Sequence, residues 1–271
     1  MVERRLEEVL GDVHPPDLST SIDHVTFAGG KRVRPTVTLL VCEALGGQPE
    51  EAVDYAAGIE LVHTASLVVD DIIDESTVRR GVDSAWTKFG VGPAIIASDG
   101  LLGEAFDLFS SDPRALRTVS ESMIELGQGE ASELVDQPTD EQAYRALARR
   151  KTGALFRAAA ELGAIAAGRA DEAGPAMGEY AERVGVAFQI RDDVLDATSD
   201  PETLGKPTGH DPQMDRPSLL EVTDLTPEQA NQRARGEATA ALDALDRVNH
   251  ANPVAARYLA ELATFVVERE R

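Results

Sequence analysis

The chain has 271 residues, 42% of them hydrophobic but only 4% aromatic, and a formal charge of −22 from 48 acidic against 26 basic residues. That balance repels a phosphate backbone and excludes general nucleic-acid binding, and no stretch approaches the ~20 uncharged apolar residues of a membrane span. The heavily charged Met1–Gly11 stretch has no signal-peptide core, so a soluble, cytoplasmic protein is expected. Apolar residues recur at helical spacing, which predicts helices over 3–11, 17–28, 33–46, 50–73, 91–109, 113–135, 140–148, 152–168, 172–198, 227–247 and 252–270. Alternating strand patterns are absent. Segment 199–226, polar and proline-rich, reads as a functional loop rather than a boundary, and 1–271 as one helical domain. Cys42 is the only cysteine and sits in an apolar run, which predicts a buried thiol.

Two segments place carboxylates among aliphatic residues. Leu67–Asp74 contains Asp70, Asp71 and Asp74; Ala187–Asp196 contains Asp192, Asp193 and Asp196. Each has the form DDxxD, so on a helix Asp70 and Asp74 share a face, as do Asp192 and Asp196. Like charges at that spacing repel, and partial desolvation makes the repulsion worse. Cations between the carboxylates relieve it, and hard oxygen ligands of this kind suit Mg²⁺ shared with substrate phosphates. One such motif in an acidic protein is as readily a solvated helix face. Two, both in apolar helices about half a chain apart, point to helices facing each other across a metal-diphosphate site.

Lysine is scarce: four residues, against twenty-two arginines. Three of the four lie in compact motifs, Gly29-Gly30-Lys31-Arg32-Val33-Arg34-Pro35, Lys151-Thr152-Gly153 and Gly205-Lys206, while Lys88 reads as an ordinary surface residue. Cations beside glycine turns or helix starts are what diphosphate binding requires. Arg79-Arg80-Gly81 follows the first aspartate cluster.

The ordered set GGKRVRP (29–35), ELVHTASLVVDDIIDESTVRRG (60–81), GQ (127–128), KTGALF (151–156), AFQIRDDVLD (187–196) and GK (205–206) resembles the trans-prenyl diphosphate synthases, geranylgeranyl type, of the all-α isoprenoid-synthase fold. The resemblance implies a helical bundle around a central cavity, and a Mg²⁺-dependent head-to-tail condensation of isopentenyl diphosphate with an allylic diphosphate. By the same resemblance Asp70, Asp71, Asp74 and Asp192 would hold the Mg²⁺ ions, with Asp193 and Asp196 supporting the second cluster as further metal residues. Arg79, Lys151, Thr152, Gln189 and Lys206 would serve the allylic diphosphate, with Lys151 and Lys206 counted among the catalytic residues. Lys31, Arg34, His63 and Arg80 would bind isopentenyl diphosphate; on pattern alone His63 reads rather as a core histidine. The assembly implied is a homodimer. The lysine-poor acidic composition is similar to that of cytoplasmic proteins from salt-accumulating microbes, here a halophilic archaeon.

Some positions depart from the family pattern: Val69 for a histidine, Asp83, Ser84 and Trp86 after the arginine pair, Ala131 for an acid and Arg216 for a lysine, with Leu219 to about Gln232 abridged. They motivate an alternative, a non-catalytic paralogue serving an active partner. A terpene cyclase on the same fold would not need GGKRVRP, His63 and Arg80. Ala65 and Ser66, with Val62 deeper, would line the product pocket, and their small size implies a geranylgeranyl-length or longer product.

Overall fold

The computed structural model describes residues 1–198 and 217–269. The helices are α1 (Val2–Leu10), α2 (Pro16–Thr26), α3 (Val33–Ala44), α4 (Pro49–Ile73), α5 (Ala85–Phe89), α6 (Val91–Phe109), α7 (Pro113–Val135), α8 (Glu141–Ala148), α9 (Ala154–Ala166), α10 (Ala170–Thr198), α11 (Leu219–Val222), α12 (Pro227–Asp246) and α13 (Pro253–Glu268). Their starts are written in the sequence. Gln48 and Glu51 form a reciprocal capping box ahead of Pro49, and Thr226 and Gln229 do the same ahead of Pro227. Asp112, Asp140 and Asn252 cap α7, α8 and α13 through side-chain oxygens.

The long helices α4 and α10 are the heart of the core. α4 packs against α3, α6 and α9, and α10 against α9 and α12. Alanine and glycine let these helices approach closely, which is how a chain so poor in aromatics fills its interior. At Gly163 a Cβ would collide with the Thr38 carbonyl of α3, so only glycine permits this α3–α9 contact. Beside it the Thr38 hydroxyl donates to the Ala159 carbonyl at 2.9 Å, tying the two helices together. Cys42 is fully buried and its thiol is pushed up to about 12, mainly by loss of hydration. No helix of the described residues is long and apolar enough to cross a membrane.

Three local features differ from the expectation. Residues 140–168 do not break near 150: α8 runs through a π-turn, Arg149–Gly153, directly into α9. A two-residue hairpin, β1 (Val78–Arg79) and β2 (Val82–Asp83), precedes α5. Elements of two to five residues are too short to show a period, and α11 escaped notice inside 199–226 for the same reason.

Candidate active site

α4 runs straight into the first aspartate cluster and stops there, with Asp74 as its C-cap and Glu75 in the left-handed region at φ 49. Acids at the carbonyl end of a helix oppose its dipole, so this terminus calls for cations. The hairpin brings them. Arg80 (φ 53) and Gly81 (φ 81) make the tight turn, and Arg79 on β1 folds back to donate two N–H groups, one from Nε at 2.8 Å, to the buried carboxylate of Asp71. Residues that depart from the family pattern brace this hairpin. The Trp86 indole donates to the Ser76 carbonyl at 2.8 Å, and the Asp83 carbonyl meets His24 Nε2 at 2.7 Å. Val69 is 40% exposed on α4.

Arg80 donates to the Gly29 carbonyl, and its guanidinium lies where a Cβ on Gly30 would stand. That close approach, with φ 137 at Gly30, explains the double glycine of the loop. The next arginine is held by the core: Arg32 (φ 47) donates to Glu60 at 2.7 Å, Glu3 at 2.7 Å and the Thr26 carbonyl at 2.7 Å. Glu60, on α4, is 1% exposed. Arg34 lies with its guanidinium 4.6 Å from the centroid of Phe156, and its buried Nε has no hydrogen-bond partner. Loss of hydration pushes it down to about 10, with Glu60 opposing and Arg80 adding to the fall. It is still a cation at neutral pH. Among the described residues neither Arg34 nor Arg80 has a carboxylate within ion-pair distance. His63 is held well below its ordinary range by burial first and then by Arg34, Arg80, Arg79 and Arg32, so it is neutral. Lys31 projects from the exposed loop.

The second cluster is balanced from far along the chain. Arg269, just past α13, donates to Asp192 and stacks 4.0 Å from the centroid of Phe188. Arg191 in turn clamps the Arg269 carbonyl with N–H groups at 3.1 and 2.6 Å, and donates to Asn231 at 2.8 Å. Asp192 is pushed up by loss of hydration, with Arg269 opposing. Asp196 is exposed. Asp193 is buried, and its carboxylate is already held by protein donors from Tyr144, Leu219 and Gln189.

Lys151 and Thr152 sit in the π-turn. Lys151 pairs with Glu133 and, at 3.1 Å, with Glu130 of α7. These are acids one position before and two after Ala131, where the family pattern has one. The Thr152 hydroxyl is 2.9 Å from Gln189 Oε1. An aromatic bridge connects the clusters: Arg34 lies on Phe156, the Phe156 and Phe188 centroids are 6.3 Å apart, and Phe188 carries Arg269 on Asp192. Of the product-pocket residues, Val62 and Ala65 are buried, with the Ala65 carbonyl accepting from Ser98 of α6 at 3.1 Å, while Ser66 is half-buried. Lys206 and Arg216 lie outside the described residues.

Sequence reasoning passed over Glu60, Arg32, Tyr144, Glu130, Glu133 and Arg269. A glutamate inside the apolar run Ala56–Val62 was a usable signal for Glu60; the pairing of Arg269 with Asp192 had none. Among the described residues no three acidic, histidine or cysteine side chains converge as a metal cage. The donor set nevertheless fits Mg²⁺, which binds through one or two carboxylates and completes its shell with water and phosphate oxygens.

The sequence pattern of the polyprenyl synthetase family matches residues 15–251. A short chain isoprenyl diphosphate synthase of Methanothermobacter thermautotrophicus is 37% identical over 244 residues, 87% of this chain and 74% of that protein. The crystal structure of a geranylgeranyl pyrophosphate synthetase from Pyrococcus horikoshii superposes with a TM-score of 0.88 at 32% identity, covering 99% of this chain and 95% of the other. A polyprenyl synthase from Caulobacter crescentus, complexed with calcium and isoprenyl diphosphate, gives 0.87 at 27% identity, covering 99% and 95%.

Proposed function

The chain belongs to the polyprenyl synthetase family and is a trans-prenyltransferase, and from that premise we propose that it condenses isopentenyl diphosphate with an allylic diphosphate to give a geranylgeranyl-length or longer all-trans product. The observation that carries the reading is the surplus of positive charge around His63. Among the described residues Arg34 and Arg80 have no carboxylate of their own, and Arg34 keeps a buried N–H without a partner. Such a pocket is suited to a polyanion. Lys31, Arg34 and Arg80 would bind the diphosphate of isopentenyl diphosphate, with neutral His63 as a hydrogen-bond partner. Arg79, Lys151, Thr152 and Gln189 would serve the allylic diphosphate, and Lys206 would join them.

Asp70, Asp74 and Asp192 would hold Mg²⁺, with Asp71 and Asp196 beside them; bound there, the metal supplies charge neutralisation for a departing diphosphate. The side chains do the rest. Arg79 and Lys151 hold the allylic diphosphate while its C–O bond breaks, the electron pair leaving with the diphosphate. Arg34, Arg80 and Lys31 hold the second substrate so that its double bond forms the new C–C bond with the allylic carbon. A proton is then lost, with the released diphosphate as acceptor. Aliphatic neighbours of both aspartate clusters keep water from the cation.

One domain, a cytoplasmic location and a homodimer complete the proposal. Exposed Val91, Ile95 and Ile96 on α6 and Leu116 and Ile124 on α7 support the last of these. The test is incubation with labelled isopentenyl diphosphate, an allylic primer and Mg²⁺, then chromatography of the dephosphorylated products. An EDTA-sensitive polyprenol is expected. Folded protein that makes none with any short primer would overturn the reading.

A further inference from the structure

Asp193 lies in the second aspartate motif, yet the contacts it makes are to protein. Its Oδ2 accepts from the Tyr144 hydroxyl at 2.6 Å and from the Leu219 main-chain N–H at 2.8 Å, while Oδ1 accepts from Gln189 Nε2 at 3.1 Å. The donors come from α8, α11 and its own helix α10. Asp193 is buried, whereas the Asp192 side chain next to it is 39% exposed. A carboxylate only accepts, so the Gln189 amide must turn its NH₂ toward Asp193. Its oxygen then faces Thr152, whose hydroxyl lies 2.9 Å away, beside Lys151 in the π-turn.

We propose that Asp193 is a positioning residue and not a metal ligand: it sets the Gln189 amide, and through it Thr152, and holds α8 and α11 against α10. Buried carboxylates held in this way by three protein donors orient functional groups without touching the reaction. The assignment rests on the reading of Asp192 as a metal residue, so the experiment separates the two.

Mn²⁺ binding in the presence of inorganic diphosphate, followed by electron paramagnetic resonance, reports on the metal without turnover. Asp192→Asn is expected to weaken Mn²⁺ binding by about tenfold or more, and Asp193→Asn to leave it within about threefold. An asparagine at 193 offers its own NH₂ to Gln189 and reverses that amide, which is expected to lower kcat about tenfold. In a Gln189→Leu background the same substitution is expected to change kcat by less than about twofold, because the relay is already cut. Tyr144→Phe removes one donor and keeps the carboxylate, so it provides a second variant should Asp193→Asn fold poorly; its Mn²⁺ affinity is expected to be that of the unaltered protein. Loss of Mn²⁺ affinity in Asp193→Asn equal to that in Asp192→Asn, weakened Mn²⁺ binding in Tyr144→Phe, or full additivity with Gln189→Leu would each overturn the assignment. Unaltered protein that binds no Mn²⁺ with diphosphate would instead overturn the metal reading on which it stands.

Discussion

α4 and α10 carry the same DDxxD pattern and meet its charge in different ways. On α4 the motif ends the helix, and its counter-ion Arg79 lies 8 residues from Asp71 on an adjoining hairpin. On α10 the helix continues through the motif to Thr198, and the counter-ion Arg269 reaches Asp192 from 77 residues away. The inner aspartates differ as well: Asp71 is paired with a guanidinium, and Asp193 with neutral donors. Among the described residues, the Arg79–Asp71 pair can therefore form by local folding, whereas the Arg269–Asp192 pair forms only once α13 has docked. Identical motifs fix which residues share a helix face, and the surrounding chain decides what each does.

The largest effect should come from removing an outer aspartate on either helix. Asp70→Asn and Asp192→Asn are each expected to cost about 10²–10³-fold in kcat, measured by product formation at saturating substrate. A loss under about tenfold for Asp192→Asn alone would break the symmetry between the helices. Next comes Arg79→Gln, which takes a guanidinium from the buried carboxylate of Asp71 and a cation from the allylic site. It should lower kcat/KM by about 10–100-fold, and stability by about 1–3 kcal/mol in urea unfolding.

Glu161 on α9 asks whether burial alone accounts for a raised carboxylate. It is pushed up to about 7 by loss of hydration, with Arg157 opposing and Glu121, Glu125 and Glu182 adding to the rise. Below its unfolded value the group is protonated in both states and neutral to stability. As pH climbs toward 7 the unfolded chain releases the proton while the folded one keeps it, so stability falls through that window. Glu161→Gln should therefore gain about 2–3 kcal/mol at pH 8 and close to nothing at pH 4, again by urea unfolding. A gain that does not depend on pH would assign the effect to packing.

Arg269→Gln should be milder. Asp192 loses a competing cation, so Mn²⁺ affinity measured with diphosphate should rise about two- to fivefold, the scale of an ion pair with one partly exposed partner. Weaker binding would make Arg269 a supporting group instead. Last is Ala65→Phe, expected to shorten the product by one isoprene unit on chromatography, at a packing cost of about 1–3 kcal/mol because Ala65 is 1% exposed. An unchanged product would remove Ala65 from the pocket.

Helical periodicity and capping residues made the long elements legible: α6 and α7 coincide with the expected ranges, and α4 starts one residue early at its capping box. Both aspartate clusters and the paired arginines were legible because charge inside apolar runs demands a reason. What the sequence hid was pairing across distance. Nothing local to Arg269 names Asp192, and nothing in the motif DDVLD tells Asp193 from Asp192; that difference comes from Tyr144 and Leu219, brought in by packing. The uninterrupted passage from α8 to α9 was hidden too, since Lys151-Thr152-Gly153 reads as a break and folds as a wider turn.

That wider turn makes this point of the chain tolerant of a change in length. Each residue of an α-helix advances the chain by about 100°, and a π-turn holds one residue more than a regular turn while leaving the helices on either side in phase. Excising a single residue from Arg149–Arg150 would let α8 and α9 run on as one regular helix with Tyr144 and Thr152 still in phase. Excising one from the regular turn of α8 after Tyr144 would instead swing Tyr144 by roughly that angle relative to Thr152, away from Asp193. The same one-residue change is absorbed at the wide turn and misaligns the side chains just before it.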